Sequence, residues 1–102
     1  MTVFVDILIK HDLTGKSAQV KRVFAHGACH MFTDGQIEEL HAMAERIGMR
    51  QSWFQNDNPD LPHYDLSPAR RSRAVDFGAV ECDKHTTVKV MRANRAARGG
   101  QR

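Results

Sequence analysis

The residues best suited to chemistry lie in a short polar segment in the middle of the chain. His63 and Asp65 are two positions apart, so an extended backbone would place both side chains on one face and Tyr64 on the other. Ser67 and Pro68 follow and predict the start of a helix. We therefore expect an imidazole and a carboxylate where a strand meets a helix, which is where open α/β folds bind ligands. The alternative is an aspartate that stabilises the turn beside a surface histidine.

Two arginines occupy the first turn of that predicted helix, Arg70 and Arg71. Positive charge at this end opposes the helix dipole, so an acidic neighbour such as Asp65 or a bound anion would offset it. Guanidinium groups and the exposed amides of a helix start can together bind a phosphate. Arg70 is a better candidate than Arg73, which lies about one turn further on. A solvated basic face is the alternative.

Aromatic and amide side chains add to this predicted pocket. Trp53 and Tyr64 are the only Trp and Tyr of the chain, and either ring could stack on a nucleotide base. Gln55 would supply a polar contact. Residues 49–55 are predicted to be extended, so Trp53 and Phe54 would face opposite sides of a strand. A tryptophan buried in the core is the alternative.

Histidine and aspartate side chains leave a divalent metal site open as a further alternative. Nitrogen and oxygen ligands of this kind suit such an ion, and the candidates are His41, His63, Asp65 and Asp6. His30 could share the same site. His26 and His30 are four residues apart, but they lie in a predicted turn and a predicted strand. No pair therefore has the His-x-x-x-His spacing on one helix, and any ligands must be brought together by the fold. A core histidine is the alternative for His41.

Composition predicts an ordinary globular domain with a basic end. The chain has 102 residues, of which 41% are hydrophobic and 26% charged, and no apolar run approaches the ~18 residues of a membrane span. Residues 1–83 carry nine Lys/Arg against twelve Asp/Glu, whereas residues 84–102 carry six Lys/Arg and no acid. We expect one domain over residues 1–94 and a basic, disordered tail over 95–102. The tail is the candidate contact for nucleic acid.

Signals of location point to the cytoplasm. The chain starts on an apolar, strand-like run without a basic segment or a small-residue cleavage site, which argues against a signal peptide. Cys29 and Cys82 are the only cysteines, and each has apolar neighbours. We therefore expect two reduced thiols rather than a disulfide.

Hydrophobic periodicity predicts an α/β fold: one small domain with a three-to-five-stranded sheet and about three helices packed on it. In the helix beginning near Thr33, we expect Thr33 and Gln36 to form a capping box. Six segments have strand-like patterns, residues 2–9, 19–24, 29–32, 49–55, 63–66 and 79–82, and three to five of them would form the sheet. The predicted helices are 33–47, 68–77 and 84–94.

Several short sequences, taken together and in order, resemble the bacterial and phage family called domain of unknown function 4031. They cover most of residues 2–82: Val3-Phe4-Val5-Asp6, Cys29-His30-Met31, Glu39-Leu40-His41-Ala42-Met43-Ala44, Ile47-Gly48, Ser52-Trp53-Phe54-Gln55, His63-Tyr64-Asp65-Leu66 and Gly78-Ala79-Val80-Glu81. The resemblance implies a phage or prophage setting, a cytoplasmic α/β protein and a shared site. That site would contain His30, His41, His63 and Asp65. The resemblance implies no activity.

The sequence thus favours a protein that binds a phosphorylated small molecule or nucleotide in a pocket of His, Asp and Arg side chains. One alternative is a metal-dependent phosphoester hydrolase or nuclease. Another is a non-enzymatic protein that binds a host partner, with the basic tail as the contact. A homo-oligomer is compatible with each of these hypotheses.

Overall fold

In the computed structural model, which describes residues 2–99, four strands and four helices are arranged around one sheet. The strands are β1 (Val3–Val5), β2 (Cys29–Thr33), β3 (Tyr64–Leu66) and β4 (Val80–Glu81). The helices are α1 (Ala18–Val23), α2 (Ile37–Arg46), α3 (Pro68–Asp76) and α4 (Lys84–Gly99), and a single 3-10 turn, Gln51–Trp53, follows α2. The predicted small α/β domain is therefore confirmed.

The sheet is mixed, with strand order β3-β2-β1-β4. β2 pairs antiparallel with both β1 and β3, while β4 runs parallel to β1. Val5 lies opposite Met31, and Met31 lies opposite Tyr64, so these three side chains share one face. Phe4 lies opposite Phe32 on the other face. Since neighbouring residues of a strand point to opposite faces, this register decides which polar side chains can meet.

Helices cover both faces of the sheet. α2 and α3 pack on the first face, where Leu40, Ile47 and Ala74 join the larger core cluster. Complete burial of a side chain such as Leu40 contributes ~1.5–3 kcal/mol. α4 packs on the second face, where Val90 contacts the smaller cluster that contains Phe32. The sheet therefore separates two apolar cores.

Residues 19–24 form most of a helix, so the prediction of a strand there was wrong. The Ser17 side chain accepts a hydrogen bond from the Val20 amide at 3.2 Å, which caps α1. Val20 and Val23 are three residues apart and half-buried on one side of the helix. A serine cap before such spacing is a helix signal, but β-branched valines are also common in strands.

Residues 49–55 are not a strand either, because the 3-10 turn occupies Gln51–Trp53. Trp53 and Phe54 consequently do not alternate across a sheet. The Trp53 side chain is 42% exposed, whereas Phe54 packs against the larger core. Only Gln55 makes a strand-like contact, through a bridge to His63.

Two other predicted boundaries also changed. β1 ends at Val5, four residues before the predicted end at Ile9, and the apolar residues Ile7 to Ile9 are 41–47% exposed. The predicted capping box was wrong: Thr33 Oγ1 accepts a hydrogen bond from the Gly35 amide at 3.0 Å, and α2 begins at Ile37 without a side-chain cap.

α4 continues to Gly99, so residues 95–99 are helical where a disordered tail was predicted; residues 100–102 lie outside the described part of the chain. The extension is stabilised by the buried carboxylate of Asp60. Arg95 donates to it at 2.6 and 3.0 Å, Arg98 donates to it as well, and Asn94 donates to the Asp60 carbonyl at 2.8 Å. Within residues 2–99, no helix is both long and apolar enough to cross a membrane.

Candidate functional site

The register of β2 and β3 brings three potential ligands together on the second face of the sheet. His30 lies directly opposite Asp65 across the two strands, and His63 precedes β3 on the same face as Asp65. His63 Nε2 lies 3.4 Å from Asp65 Oδ1, and the His30 and His63 rings are perpendicular with centroids 4.8 Å apart. One ligand atom from each residue lies within 4.8 Å of the others. We call His30, His63 and Asp65 the His/Asp cluster.

Hydrogen bonds to neighbouring groups fix the orientation of both imidazoles. His30 Nδ1 lies 2.9 Å from Asp6 Oδ2, and the His30 amide donates to Asp6 Oδ1 at 2.7 Å. Asp6 itself is buried and also accepts a hydrogen bond from Thr87 of α4. His63 Nδ1 donates to the Leu61 carbonyl at 2.7 Å. In both rings the partner is at Nδ1, so Nε2 is the nitrogen left to face the cluster.

Electrostatics within the cluster favour an ion pair between His63 and Asp65. Burial would lower the pKa of His63, but hydrogen bonds to Asp65 and to the Leu61 carbonyl raise it above its ordinary value. Burial would raise the pKa of Asp65, but hydrogen bonds from His63 and Gln55 lower it. Gln55 Nε2 donates to Asp65 Oδ2 at 2.5 Å. The protein therefore stabilises a charged carboxylate at this position.

Next to the cluster is a cavity of about 590 Å³, lined by α1, by the 3-10 turn and by the start of α3. Gln55 and Asp65 line it together with Trp53, Phe54 and Arg70. The Arg70 guanidinium carbon lies 5.4 Å from the centre of the Trp53 ring, within the range of a cation–π contact. Asp65 thus belongs both to the cluster and to the wall of the cavity.

His41 and Tyr64, which the sequence placed in the pocket, lie on the opposite face of the sheet. Tyr64 is completely buried in the larger core, and its hydroxyl lies 2.7 Å from His41 Nδ1. The Phe54 ring packs edge-on against His41, with centroids 4.7 Å apart. The predicted site of His30, His41, His63 and Asp65 is therefore split, because the sheet itself stands between His41 and the other three.

Arg71 is also held away from the cavity. Its Nε donates to the Asp6 backbone carbonyl at 2.8 Å, and its Nη1 bonds Glu81 Oε1 at 2.7 Å. Its side chain is only 16% exposed. Arg71 consequently ties α3 to the end of β1 and to β4, while Arg70 is the arginine that reaches the cavity.

The alternative metal set of His41, His63, Asp65 and Asp6 is not brought together. His41 is on the wrong face, and both carboxylate oxygens of Asp6 are engaged with His30. The third residue that lies beside His63 and Asp65 is His30, not the predicted His41. Asp6 contacts His30 and orients its ring.

A model of the family described as "Protein of unknown function (DUF4031)" matches residues 17–94, which is more than half of the chain. The chain belongs to this family. No curated protein and no solved structure matches it. The matched segment contains the whole His/Asp cluster as well as Trp53 and Arg70, whereas Asp6 precedes it.

Sequence reasoning missed the contribution of α1 to the cavity. Gln19, Val20, Val23 and Phe24 line it, whereas the sequence pattern predicts a strand over residues 19–24. The Ser17 cap is the signal that could have identified the helix. The sequence gives no sign that the Leu61 carbonyl accepts a hydrogen bond from His63. Every residue has a backbone carbonyl, and only the folded loop places this one beside His63.

Proposed function

We propose that this protein binds a phosphorylated small molecule, with a nucleotide as the favoured class, in the cavity beside Trp53 and Arg70. The observation that carries the proposal is the pairing of these two side chains on the wall of a cavity of about 590 Å³. Small-molecule sites are typically clefts of roughly 300–1,000 Å³ with a few well-placed polar groups.

Arg70 is suited to a phosphate because its guanidinium is oriented but weakly engaged. Its plane is held near the Trp53 ring, and its hydrogen bond to the Gly48 carbonyl is long, at 3.4 Å. Most of its donors therefore remain for an anion, which a guanidinium can bind through two parallel hydrogen bonds. The Ser67 side chain caps the Arg70 amide at the start of α3, so the arginine side chain rather than that amide would bind the anion.

The rest of the cavity suits a planar heterocycle. Val20 and Val23 of α1, together with Phe24 just after it, supply an apolar wall, and the half-exposed Trp53 ring offers a stacking surface. Stacking of a base on an aromatic side chain contributes ~1–3 kcal/mol. Gln55 and Asp65, which also line the cavity, are hydrogen-bonding partners for a base or a sugar.

Trp53 fluorescence provides a direct test, because Trp53 is the only tryptophan. The wild-type protein is titrated with purine and pyrimidine nucleotides, with the matching nucleosides and with inorganic phosphate. We expect nucleotides to quench or shift the emission, nucleosides to bind more weakly, and Arg70→Met to lose about tenfold or more in affinity, since a charged hydrogen bond contributes ~1.5–3 kcal/mol.

Arg73→Met is the matched control, because Arg73 is exposed on the same helix and does not line the cavity. Its affinity should stay within about twofold of wild type. The proposal fails if no nucleotide at millimolar concentration changes the emission or the melting temperature. Equal losses in Arg70→Met and Arg73→Met would also contradict it.

A second candidate function is metal-dependent hydrolysis of a phosphoester, favoured by the position of Asp65 in both the cluster and the cavity wall. An ion at the cluster would activate water next to the bound phosphate. The test is release of nitrophenol from mono- and diester substrates with Mn²⁺, Zn²⁺ or Mg²⁺. Activity that is absent with every ion, or that persists in Asp65→Asn, would exclude this function.

The remaining expectations stay predictions: the phage or prophage setting, the cytoplasmic location, homo-oligomers and contacts of the basic end with nucleic acid or a host partner. Arg95 and Arg98 are paired with Asp60, which reduces the positive charge that this end presents.

A further inference from the structure

We propose that His30, His63 and Asp65 form a binding site for one divalent transition-metal ion, with Zn²⁺ favoured, beside the cavity. This inference does not depend on whether a nucleotide binds. It rests on the convergence of two imidazole nitrogens and one carboxylate oxygen from β2 and β3 and on the way in which neighbouring groups orient them.

His63 and Asp65 already have the spacing of two ligands of one ion. Two ligands that each lie ~2.1 Å from a tetrahedral ion are about 3.4 Å apart. His63 Nε2 and Asp65 Oδ1 are 3.4 Å apart, and the widest separation among the three ligand atoms is within 4.8 Å. Two atoms as far apart as 4.8 Å cannot both lie ~2.1 Å from one ion, so the partly exposed His30 ring, whose side chain is 39% accessible, would have to turn toward His63 and Asp65 to supply the third ligand.

The protein also selects the nitrogen that a metal needs. Asp6 pairs with Nδ1 of His30 and the Leu61 carbonyl accepts from Nδ1 of His63. Ligating histidines commonly donate their second ring nitrogen to a carboxylate or a backbone carbonyl in this way, which fixes the tautomer and increases ligand basicity. A simple ion pair between His63 and Asp65 would not require His30 to be oriented by a buried aspartate.

The ligand set indicates which ion is favoured. Two imidazoles and one carboxylate suit Zn²⁺ and other first-row transition ions, whereas Mg²⁺ and Ca²⁺ prefer oxygen ligands. Three protein ligands leave at least one coordination position for water or for an anionic group. Because Asp65 lines the cavity, that position would be near the bound molecule.

The primary experiment measures binding of Zn²⁺ alone to the full chain after treatment with a chelator. We expect one equivalent to bind with a Kd below about 1 µM, and Co²⁺ to give a visible d–d spectrum that Zn²⁺ abolishes. His63→Gln and Asp65→Asn should each weaken binding by at least about tenfold. His85→Gln, at an exposed position on α4, is the matched control and should bind as wild type does.

If a variant does not fold, side-chain NMR of the histidines in the wild-type protein tests the site without any substitution. Addition of one equivalent of Zn²⁺ should shift the Nε2 resonances of His30 and His63 and leave those of His41 and His85 in place. Binding weaker than about 100 µM, or shifts at His41 or His85 instead, would overturn the proposal. Arg70→Met should retain the ion, so loss of nucleotide binding and loss of metal binding are distinguishable.

Discussion

Adjacent arginines on α3 should have different effects when each is replaced: Arg71 should matter for stability and Arg70 for binding. Its Nε donates to the buried Asp6 carbonyl at 2.8 Å, and a hydrogen bond from a charged donor contributes ~1.5–3 kcal/mol. Its second bond goes to Glu81, whose side chain is 61% exposed, and exposed ion pairs contribute only ~0–1 kcal/mol. We therefore expect Arg71→Met, which keeps an apolar stem, to lower the free energy of unfolding by about 2–3 kcal/mol.

Arg70→Met removes a 3.4 Å hydrogen bond and a cation–π contact with Trp53. The expected loss is under about 1 kcal/mol. Since ~1 kcal/mol shifts the melting temperature of a domain of this size by roughly 4–8 °C, the Arg71 variant should melt at least ~8 °C below wild type. The free energy of unfolding of Glu81→Gln should lie within about 1 kcal/mol of the wild-type value. That result would assign most of the stability lost in Arg71→Met to the hydrogen bond with the Asp6 carbonyl.

The assay is urea unfolding followed by far-ultraviolet circular dichroism, with the free energy of unfolding obtained by linear extrapolation. An Arg71→Met free energy within about 0.5 kcal/mol of wild type would refute the reasoning. So would equal destabilisation by Arg70→Met and Arg71→Met. Folded Arg71→Met should also keep its affinity for nucleotide, which Arg70→Met should lose.

Two further predictions concern groups outside the cavity. Hydrogen bonds from Arg95 and then Arg98 hold the pKa of Asp60 below its usual value of 3.8, so the stability that this carboxylate provides is present above that pH and is lost as the pH falls through the lowered value. Asp60→Asn should therefore show a smaller decline in stability below about pH 4 than wild type, and identical pH profiles would contradict this. Burial raises the pKa of Cys29 to about 12, so in Cys82→Ala the single remaining thiol should react with a disulfide reagent at pH 8 only as fast as the protein opens. Rapid labelling of the native protein would show that Cys29 is accessible.

Features that depend on neighbours in the chain could be read from the sequence. Ser67 and Pro68 start α3 as predicted, because a serine oxygen and a preset proline φ act within one turn. His63 and Asp65 share a face because side chains alternate along an extended backbone. Residues 19–24 show where local reasoning failed: β-branched valines favour a strand, whereas the Ser17 cap and the three-residue spacing of Val20 and Val23 fit a helix.

Only the tertiary structure decided which side chains join His63 and Asp65. The antiparallel register of β2 and β3 places His30 opposite Asp65, and a slip of one residue would have turned His30 to the other face. The same sheet puts His41 beside Tyr64 in the opposite core. Sequence alone thus determined the types of the side chains and the local pair of His63 and Asp65. The complete cluster depends on hydrogen bonds between strands and on burial across the sheet, which connect residues far apart in the chain.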